Sequence, residues 1–338
     1  MYNLYMDSGT SNTRAYLLKG FDLMDAEAVK VGTKDSAISG GNDVLLSGMK
    51  ACCDKLLARN GLEMSAVADI WASGMVTNTF GIVEVEHVST PVTAQKLLDS
   101  VYRHQEDRYF HRGINLIRGA KTAQPGQEVS LENIALMNNV RGEEIEAAGL
   151  VACNILPGDM DCVLISPGSH THMLHVVNGV MTDILSSFTG EMNYAIRKDT
   201  ILGGELSETP VKMEPEHVLH GYRNLEEYGF TRAMYIIHAT KVFNVGGNDV
   251  RSQLLEGVIA GSSISALRKR IREDWKDVGK IVIIGGKAYM EAYEILCRHL
   301  LPEVEVVLYK AQGQISLALH GFLEILRLHQ EKGCQAHE

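Results

Sequence analysis

The chain has 338 residues, 45% hydrophobic and 22% charged, which is the balance of a globular protein long enough for two domains. Its 32 basic and 42 acidic side chains give a net charge of −10, which argues against the basic surface that general nucleic-acid binding needs. No segment approaches the roughly 20 apolar residues that span a bilayer, and no basic segment followed by an apolar run opens the chain, so we expect neither a membrane span nor a secretory signal.

The first part of the chain begins with three predicted strands, at residues 3–7, at 13–18 and in "LLKGFDLM" after a Lys19-Gly20 turn. Apolar residues recur at helical spacing in "NDVLLSGMKACCDKLLARNG", and Asn60-Gly61 ends this helix. "VADIWASGM" is typical of a buried strand that leads into a glycine turn. A mixed insertion over 82–125 and a mostly helical segment, "SLENIALMNNVRGEEIEAAGLVAC", follow; the helix is interrupted near Asn138 to Gly142.

The second part repeats the opening pattern. A shift of 159 residues places Gly168 on Gly9, and the strands of "MDCVLISPGSHTHMLHVVNGVMTDIL" then match the opening strands to within one residue. Asn178-Gly179 is a strong hairpin signal. A chance similarity is the alternative, because strand–glycine–strand patterns are common. Turn residues in "LPGDMD" predict a boundary between domains at 1–158 and 159–338.

Helices and strands alternate in the remainder. Helices are predicted in "EHVLHGYRNLEEYGFTRAMYIIHATKVF", "VRSQLLEGVIAGSSISALRKRIREDW", "AYMEAYEILCRHLL" and "ISLALHGFLEILRLH", and strands in "KIVIIGG" and "EVEVVLYK". This alternation indicates an α/β protein with a largely parallel sheet covered by helices.

The six cysteines occupy positions 52, 53, 153, 162, 297 and 334. None belongs to a Cys-x-x-Cys pair, and several lie inside apolar runs such as "MDCVLI". Because free cysteine behaves as a small core residue, we predict reduced, mostly buried thiols and a cytoplasmic protein.

The segment "DSGTSNTR" places a carboxylate and small polar residues at the end of the first strand. Asp7 can hold Mg²⁺ directly or through water, since this ion prefers oxygen ligands and keeps several waters. Gly9 lets the backbone approach a phosphate, and Thr10, Ser11 and Asn12 can donate hydrogen bonds to it. A turn that merely closes the hairpin is the alternative.

Two further segments offer backbone to a phosphate or a nucleotide. In "SPGSHTH", Gly168 opens the loop and Ser169 donates. The spacings of two and three residues between His170, His172 and His175 match no zinc motif, so we expect loop and surface histidines. Gly285 and Gly286 lie at a strand-to-helix junction that suits a nucleotide, although a plain tight turn fits equally well. The chain contains no P-loop motif.

The segment "NNVRGEEIEAAG" combines a guanidinium with two adjacent carboxylates. Arg141 can bind a carboxylate through two hydrogen bonds, and Glu143 or Glu144 can take a proton from a hydroxyl. Ser73 and Gly74, in the turn "ASGM", are candidates for the same pocket. A helix start rich in acidic residues is the simpler alternative, favoured by the helix dipole.

These segments together resemble the sugar kinase, actin and Hsp70 superfamily, and within it the 2-dehydro-3-deoxygalactonokinase family. The residues that carry the resemblance span nearly the whole chain in the family's order: "DSGTSNTRAYLL", "ASGM" with "EVEHVSTP", "NNVRGEE", "SPGSHTHMLHVVNGVM", "SSFTGEM", "LLEGVIAGSSI" and "IVIIGGKAYMEAYEIL". The resemblance implies two ribonuclease H-like, actin-like ATPase domains, each with a mixed sheet flanked by helices, around a central cleft. The last helix is then free to pack back on the first domain.

The implied reaction is transfer of the γ-phosphoryl group of ATP to the terminal hydroxyl of 2-dehydro-3-deoxy-D-galactonate, which gives the 6-phosphate in galactonate catabolism. The resemblance implies that Asp7 is the Mg²⁺-associated acid and Glu143 the base. It also implies three groups of binding residues: at the phosphates Gly9, Thr10, Ser11, Asn12, Gly168 and Ser169, at the adenosine Gly285 and Gly286, and at the acceptor Ser73, Gly74, Arg141 and Glu144. The first domain is expected to bind acceptor and phosphate, and the second the nucleotide. Thr189, Gly190 and Glu191 match a further family signature.

The chain departs from the family pattern at four positions. Asn138 stands where the family usually has an aspartate, His172 and Met173 replace lysine and tryptophan, and Ile82 replaces a tryptophan. If that aspartate is the family's base, the base here is Glu143 or another group. A kinase of another sugar or sugar acid on the same fold, and an actin-like or chaperone-like ATPase switch, are the alternative functions, and a homodimer is left open.

Overall fold

The computed structural model describes residues 1–310 and 316–335, which form two compact units. Unit one comprises residues 1–158 and 179–183 and the described residues from 316 onward; unit two comprises 159–178 and 184–310. The strands are β1 (Tyr2–Ser8), β2 (Thr13–Lys19), β3 (Asp22–Val29), β4 (Val67–Gly74), β5 (Val88–Ser89), β6 (Tyr102–Glu106), β7 (Arg112–Leu116), β8 (Ala120–Lys121), β9 (Asn139–Val140), β10 (Asp161–Pro167), β11 (Thr171–Val177), β12 (Val180–Ser187), β13 (Val278–Ile284) and β14 (Glu305–Tyr309). The α-helices are α1 (Thr33–Ser39), α2 (Asp43–Arg59), α3 (Ala94–Asp99), α4 (Glu143–Ala152), α5 (Gly190–Asp199), α6 (Pro215–Tyr228), α7 (Phe230–Val242), α8 (Asn248–Glu273), α9 (Lys287–Leu300) and α10 (Leu317–Gln335).

The two large sheets share one strand order. The first runs β3-β2-β1-β4-β7-β6 and the second β12-β11-β10-β13-β14. In the first sheet, β1 is antiparallel to β2 and parallel to β4, which follows a helical segment. In the second sheet, β10 is likewise antiparallel to β11 and parallel to β13. The predicted repeat is confirmed, because a shift of 159 residues turns β1 into β10.

Both sheets are mixed, as the family resemblance implied; the largely parallel sheet expected from helix–strand alternation is wrong. Short turns join the first three strands of each repeat, and a short turn allows only antiparallel pairing. Asn178 and Gly179 form such a turn between β11 and β12, with φ of 50° and 78°. The predicted hairpin at this position is therefore confirmed.

Alternating side chains of β1 contact different helices of unit one. Leu4 and Met6 belong to the core that includes Leu45 and Met49 of α2. Tyr5 points the other way and stacks on Phe322 of α10, with ring centroids 4.2 Å apart. The central strand is thus covered on both faces, which is why Leu4, Tyr5 and Met6 are consecutive apolar residues.

Each unit contains a pair of helices that cross at glycines. A Cβ on Gly149 of α4 would lie 2.5 Å from the Gly321 nitrogen, and one on Gly321 of α10 would lie 2.0 Å from the Ile145 carbonyl oxygen. In unit two, Gly221 of α6 and Gly257 of α8 make the same close approach to Leu254 and Val218. Neither crossing leaves room for a side chain, so the four glycines determine how closely these helices pack.

Two helix predictions need correction. Residues 130–138 contain no α-helix and only a single 3₁₀ turn, at Ile134–Leu136. Helix α4 begins at Glu143. The helix predicted over 216–243 is two helices, since Gly229 between α6 and α7 has a φ of 77°. A helical apolar pattern continues across such a break, so periodicity alone did not reveal it.

Four of the cysteines, Cys52, Cys53, Cys162 and Cys297, are free and buried, whereas Cys153 is exposed. The side chain of Cys334 lies outside the described residues. Within the described part of the chain, no helix has the length and apolar character needed to cross a bilayer.

We expect Gly321→Ala to lower the free energy of unfolding by about 1–3 kcal/mol, because the new methyl group overlaps the Ile145 carbonyl and forces α4 and α10 apart. Gly41→Ala is the control, since a Cβ there meets nothing within 4 Å. Urea unfolding followed by far-UV circular dichroism measures both variants. An equal free energy of unfolding for Gly321→Ala and Gly41→Ala would contradict the close crossing of α4 and α10.

Candidate functional site

The carboxyl ends of β1 and β4 lie side by side in unit one. In the parallel register Asp7 lies beside Ser73, and Ser8 beside Gly74. Gly74 has a φ of 81°, and a Cβ on it would lie 2.6 Å from the Ser8 carbonyl oxygen and 3.6 Å from a carboxylate oxygen of Asp7. Only glycine can therefore let β4 turn this close to the Asp7 carboxylate.

The loop between β1 and β2 is a closed and exposed turn. The Gly9 N–H donates to the Asn12 carbonyl at 2.9 Å, and residues 9–12 are all exposed. From the start of α1, the backbone N–H groups of Thr33 and Lys34 donate to the Gly9 and Thr10 carbonyls at 3.3 and 2.9 Å. These bonds hold the loop in place while its hydroxyl and amide side chains remain accessible.

Helix α4 begins at the same edge of unit one. A Cβ on Gly142 would lie 4.0 Å from the Gly74 Cα, and the first turn of α4 carries Glu143, Glu144 and Glu146. Burial raises the pKa of Asp7 to about 6; Arg14, the cross-strand neighbour of Asp7 on β2, lowers this pKa, and the Glu143 charge raises it. The charge of Glu143 at the start of α4 therefore acts on the Asp7 carboxyl.

Glu144 is buried, with 2% of its surface exposed, and both its carboxyl oxygens accept the Gly142 N–H, at 3.0 and 2.8 Å. Burial, and then the Glu143 charge, raises the pKa of Glu144 to about 8. The side chain closes the start of α4 and is poorly placed for the direct acceptor contact expected from the sequence. Ser73 is likewise fully buried, and its hydroxyl hydrogen-bonds to Tyr5 at 2.6 Å.

Glu146 belongs to this cluster and was missed in the sequence. Burial, followed by the charges of Glu143 and Asp7, raises the pKa of Glu146 well above its usual value. Its position three residues after Glu143 on a helix puts the two carboxylates on one face, which is the signal that could have identified it.

Arg141 is held by neighbours on the segment that follows β4. Its Nη1 donates to the Thr77 hydroxyl at 2.6 Å, and its Nη2 donates to the Val85 carbonyl at 3.1 Å. The His87 ring lies 3.5 Å from Nη2, and burial together with the Arg141 charge lowers the pKa of His87 to about 4. A neutral imidazole therefore lies beside the guanidinium, which has further N–H groups for a ligand.

In unit two, the loop between β10 and β11 has a similar closure. The Gly168 N–H donates to the His170 carbonyl at 2.8 Å, and Gly168 and Ser169 are exposed. Helix α5 begins against this loop: the Glu191 N–H donates to the Ser169 carbonyl at 2.8 Å, and a Cβ on Gly190 would lie 2.1 Å from the Gly168 oxygen. Gly190 and Glu191 of the "TGE" signature thus pack against the loop and hold it through a hydrogen bond.

The turn at Gly285 and Gly286 adjoins the same loop. Gly285 has a φ of 120°, and a Cβ on it would lie 3.5 Å from the Pro167 carbonyl oxygen. Both glycines are exposed, and α9 begins directly after them.

A cavity of about 300 Å³ lies beside Gly190 in unit two. Its polar wall is a chain of three side chains: Arg197 Nε donates to Asn193 Oδ1 at 2.7 Å, and Asn193 Nδ2 donates to Glu256 Oε1 at 2.7 Å. Burial raises the pKa of Glu256, and Asn193 and Arg197 oppose that rise. None of these residues was singled out in the sequence, because α5 and α8 bring them together only in the folded chain.

The histidines at 170, 172 and 175 are only partly as expected. His170 is exposed, but His175 is 7% exposed and stacks on Trp275 with ring centroids 4.8 Å apart. The expectation of loop and surface histidines is therefore wrong for His175, whose position on β11 turns it inward. Among residues 1–310 and 316–335, no group of three or more metal-ligating side chains is found.

A sequence profile of the 2-keto-3-deoxy-galactonokinase family matches residues 7–318. The chain belongs to this family. Membership makes it an ATP-dependent sugar-acid kinase that phosphorylates 2-keto-3-deoxygalactonate. No curated protein sequence matches the chain significantly.

Solved structures support the fold. A structure described as "a putative 2-dehydro-3-deoxygalactonokinase protein from Sinorhizobium meliloti" is 17% identical, with a TM-score of 0.73 over 97% of this chain and 99% of that one. A reductive activator for a corrinoid, iron-sulfur protein is 11% identical, with a TM-score of 0.51 over 99% of this chain and 62% of that one. The chain therefore shares the overall fold of the Sinorhizobium meliloti structure, and its two units with mixed sheets agree with the two α/β domains that the sequence resemblance implied.

We expect Thr77→Val to raise the KM for 2-keto-3-deoxygalactonate about tenfold, because the guanidinium of Arg141 loses its hydrogen bond to Thr77 and keeps that to the Val85 carbonyl. The KM for ATP should stay unchanged in steady-state assays. Thr79→Val, an exposed position two residues away, is the matched control. A Thr77→Val enzyme with normal KM for the acceptor would remove Arg141 from the acceptor site.

Proposed function

We propose that the kinase transfers the γ-phosphoryl group to the terminal hydroxyl of 2-keto-3-deoxygalactonate, with the acceptor bound at the acidic edge of unit one. The observation that supports this placement is the meeting of three distant segments there: Asp7 at the end of β1, Gly74 at the end of β4 and Gly142–Glu143 at the start of α4. Arg141, in the same segment, supplies a guanidinium for the acceptor carboxylate.

For ATP, the proposal assigns the phosphates to the exposed loops at Gly9, Thr10, Ser11 and Asn12 and at Gly168 and Ser169. The nucleoside part is assigned to the turn at Gly285 and Gly286 and to the adjoining cavity. Two features support the assignment in unit two: the loop, the α5 start and the glycine turn adjoin one another, and the cavity of about 300 Å³ opens beside Gly190. Small-molecule pockets of this size are common in ligand-binding proteins.

Asp7 is the proposed ligand for Mg²⁺, directly or through water. Its half-buried carboxylate, at the end of a strand and near the Glu143 charge, suits a hard cation that takes one or two carboxylates and the substrate phosphates. Bound there, Mg²⁺ would neutralise charge on the phosphates of the nucleotide.

In the proposed mechanism, Glu143 is the general base. As the terminal hydroxyl oxygen of the acceptor bonds to the γ-phosphorus, the bond from that phosphorus to the β,γ-bridging oxygen breaks, ADP leaves, and the hydroxyl proton passes to Glu143. The transition state of such a transfer is loose, so positioning and charge stabilisation dominate. We assign Glu144 and Ser73 to positioning, since Glu144 closes the α4 start and Ser73 anchors Tyr5.

The same proposal includes a cytoplasmic location and a homodimer. Four buried, free cysteines support a reducing compartment. The apolar end of α7, where Val242 is 59% and Phe243 75% exposed, supports association with a second copy, which light scattering on the purified chain measures.

The position and identity of the acceptor can be measured directly. We expect ATP consumption with 2-keto-3-deoxygalactonate and none with simple hexoses, because the acceptor proposed here binds Arg141 through a carboxylate that hexoses lack. Phosphorus–proton coupling in the NMR spectrum of the product should place the phosphate on C6. A phosphate on another carbon, or equal use of hexoses, would contradict the proposed acceptor geometry.

Asp7→Asn and Glu143→Gln should differ in their effects. Glu143→Gln is expected to lower kcat about 10²–10⁴-fold with unchanged affinity for ATP, because only proton transfer is impaired. Asp7→Asn should abolish Mg²⁺-dependent turnover and weaken the Mg²⁺ dependence of ADP binding in calorimetry. Asp22→Asn, at an exposed position of β3, is the charge-matched control. Normal kcat in Glu143→Gln would show that another residue is the base, with Glu146 as the next candidate.

A further inference from the structure

Three buried hydroxyl groups form a connected network below the loop at Gly168 in unit two. Thr171 Oγ1 lies 2.6 Å from the Tyr293 hydroxyl and 2.7 Å from Thr189 Oγ1. Thr171 is fully buried, and Tyr293 and Thr189 are 4% and 6% exposed. The network is shielded from water, so each hydroxyl depends on the others for its hydrogen bonds.

Each hydroxyl comes from a different element of the nucleotide side of unit two. Thr171 is the first residue of β11, directly after the loop. Thr189 precedes Gly190, whose Cα lies against the Gly168 carbonyl. Tyr293 lies on α9, which begins directly after Gly286. The network thus links the loop, the start of α5 and the helix that follows the glycine turn.

The chemistry of the network makes Thr171 its centre. Each hydroxyl has one proton to donate and two lone pairs, so Thr171 Oγ1 can donate to one partner and accept from the other. Burial raises the pKa of Tyr293, which keeps its phenol protonated at neutral pH. Removal of the Tyr293 hydroxyl therefore removes the hydrogen bond that links Thr171 to α9.

We propose that Tyr293 is a positioning residue that holds the Gly168 loop and the Thr189–Gly190 turn in the geometry that binds the phosphates of ATP. The proposal rests on the assignment of Gly168 and Ser169 to phosphate binding made above. Tyr293 touches no reacting group, since its hydroxyl is bonded to Thr171 inside the unit. Its effect is on the affinity of unit two for nucleotide, and the acceptor side of the reaction is independent of it.

The aromatic ring and the hydroxyl of Tyr293 have separable roles. The ring belongs to the apolar core of unit two, with Met290 and Leu296 of the same helix. Tyr293→Phe keeps the ring and removes only the hydroxyl, so it tests the network without emptying the core. Thr189→Val and Thr189→Ser test the other end, because valine has the shape of threonine without the hydroxyl and serine keeps the hydroxyl.

The experiment measures the KM for ATP, the KM for 2-keto-3-deoxygalactonate, kcat and the Kd for ADP of the full chain. For Tyr293→Phe and Thr189→Val we expect a rise of about 3–10-fold in KM for ATP and Kd for ADP, the effect of one hydrogen bond. The KM for the acceptor and kcat at saturating ATP should stay within about twofold. Thr189→Ser, which keeps the hydroxyl, should bind ATP as tightly as the unchanged protein. The double variant Tyr293→Phe/Thr189→Val should raise the KM for ATP by less than the product of the two single increases, as expected for one network.

Tyr222→Phe is the matched control. Tyr222 lies in the same core, is 5% exposed, and its hydroxyl is 3.4 Å from Ser265, away from the loop. Its KM for ATP should be unchanged. A similar rise in Tyr222→Phe would show that general loosening of the core is responsible, and would overturn the proposal.

Gly168→Ala distinguishes the role of Tyr293 from the assignment of Gly168 and Ser169 to phosphate binding. A Cβ there would lie 3.3 Å from the His170 carbonyl, so the substitution perturbs the loop directly. If Gly168→Ala weakens ADP binding but Tyr293→Phe does not, the role of Tyr293 is wrong and the loop assignment stands. If neither weakens it, the loop does not bind phosphate, and both fail. Equal increases of both KM values in Tyr293→Phe would also overturn the proposal.

Discussion

The close approach of β4 to β1 is the constraint on which the acidic edge of unit one depends. Parallel pairing brings both carboxyl ends to the same edge, but a side chain at residue 74 would overlap the Ser8 carbonyl and crowd the Asp7 carboxylate. Gly74, at a φ of 81°, removes that obstacle. With Gly142 beside it, the start of α4 can then approach the Asp7 strand, and its glutamates become neighbours of Asp7.

This convergence concentrates negative charge, and the structure contains the groups that moderate it. The N-terminal end of α4 favours acidic side chains through the helix dipole. Arg14 lowers the pKa of Asp7, and backbone N–H groups lower that of Glu144, although burial prevails in both. A carboxylate cluster that is costly in the free protein is well suited to a cation and to proton transfer, which are the roles we propose for Asp7 and Glu143.

The two units have similar sheets and similar pairs of helices that cross at glycines. Each builds its sheet from a three-stranded meander followed by a parallel strand, and each packs two helices through glycines whose missing side chains admit a neighbouring backbone. Each also closes a strand-to-strand loop with a glycine N–H, at Gly9 and at Gly168. They differ in what surrounds the loop: carboxylates in unit one, and a buried hydroxyl network with a cavity in unit two.

The amino-acid sequence alone determined the strands and most helices, the repeat, the two small-residue loops and the family, because these depend on local periodicity, turn residues and motif order. It predicted helix over 130–137 wrongly: the segment has only a 3₁₀ turn at Ile134–Leu136, and the Thr122 hydroxyl, distant in sequence, donates to the Leu136 carbonyl. Only the tertiary structure decided that Ser73 and Glu144 are buried and that Tyr293 meets Thr171, which in turn meets Thr189. Burial and side-chain partners arise from contacts between segments far apart in the chain, and no local pattern specifies them.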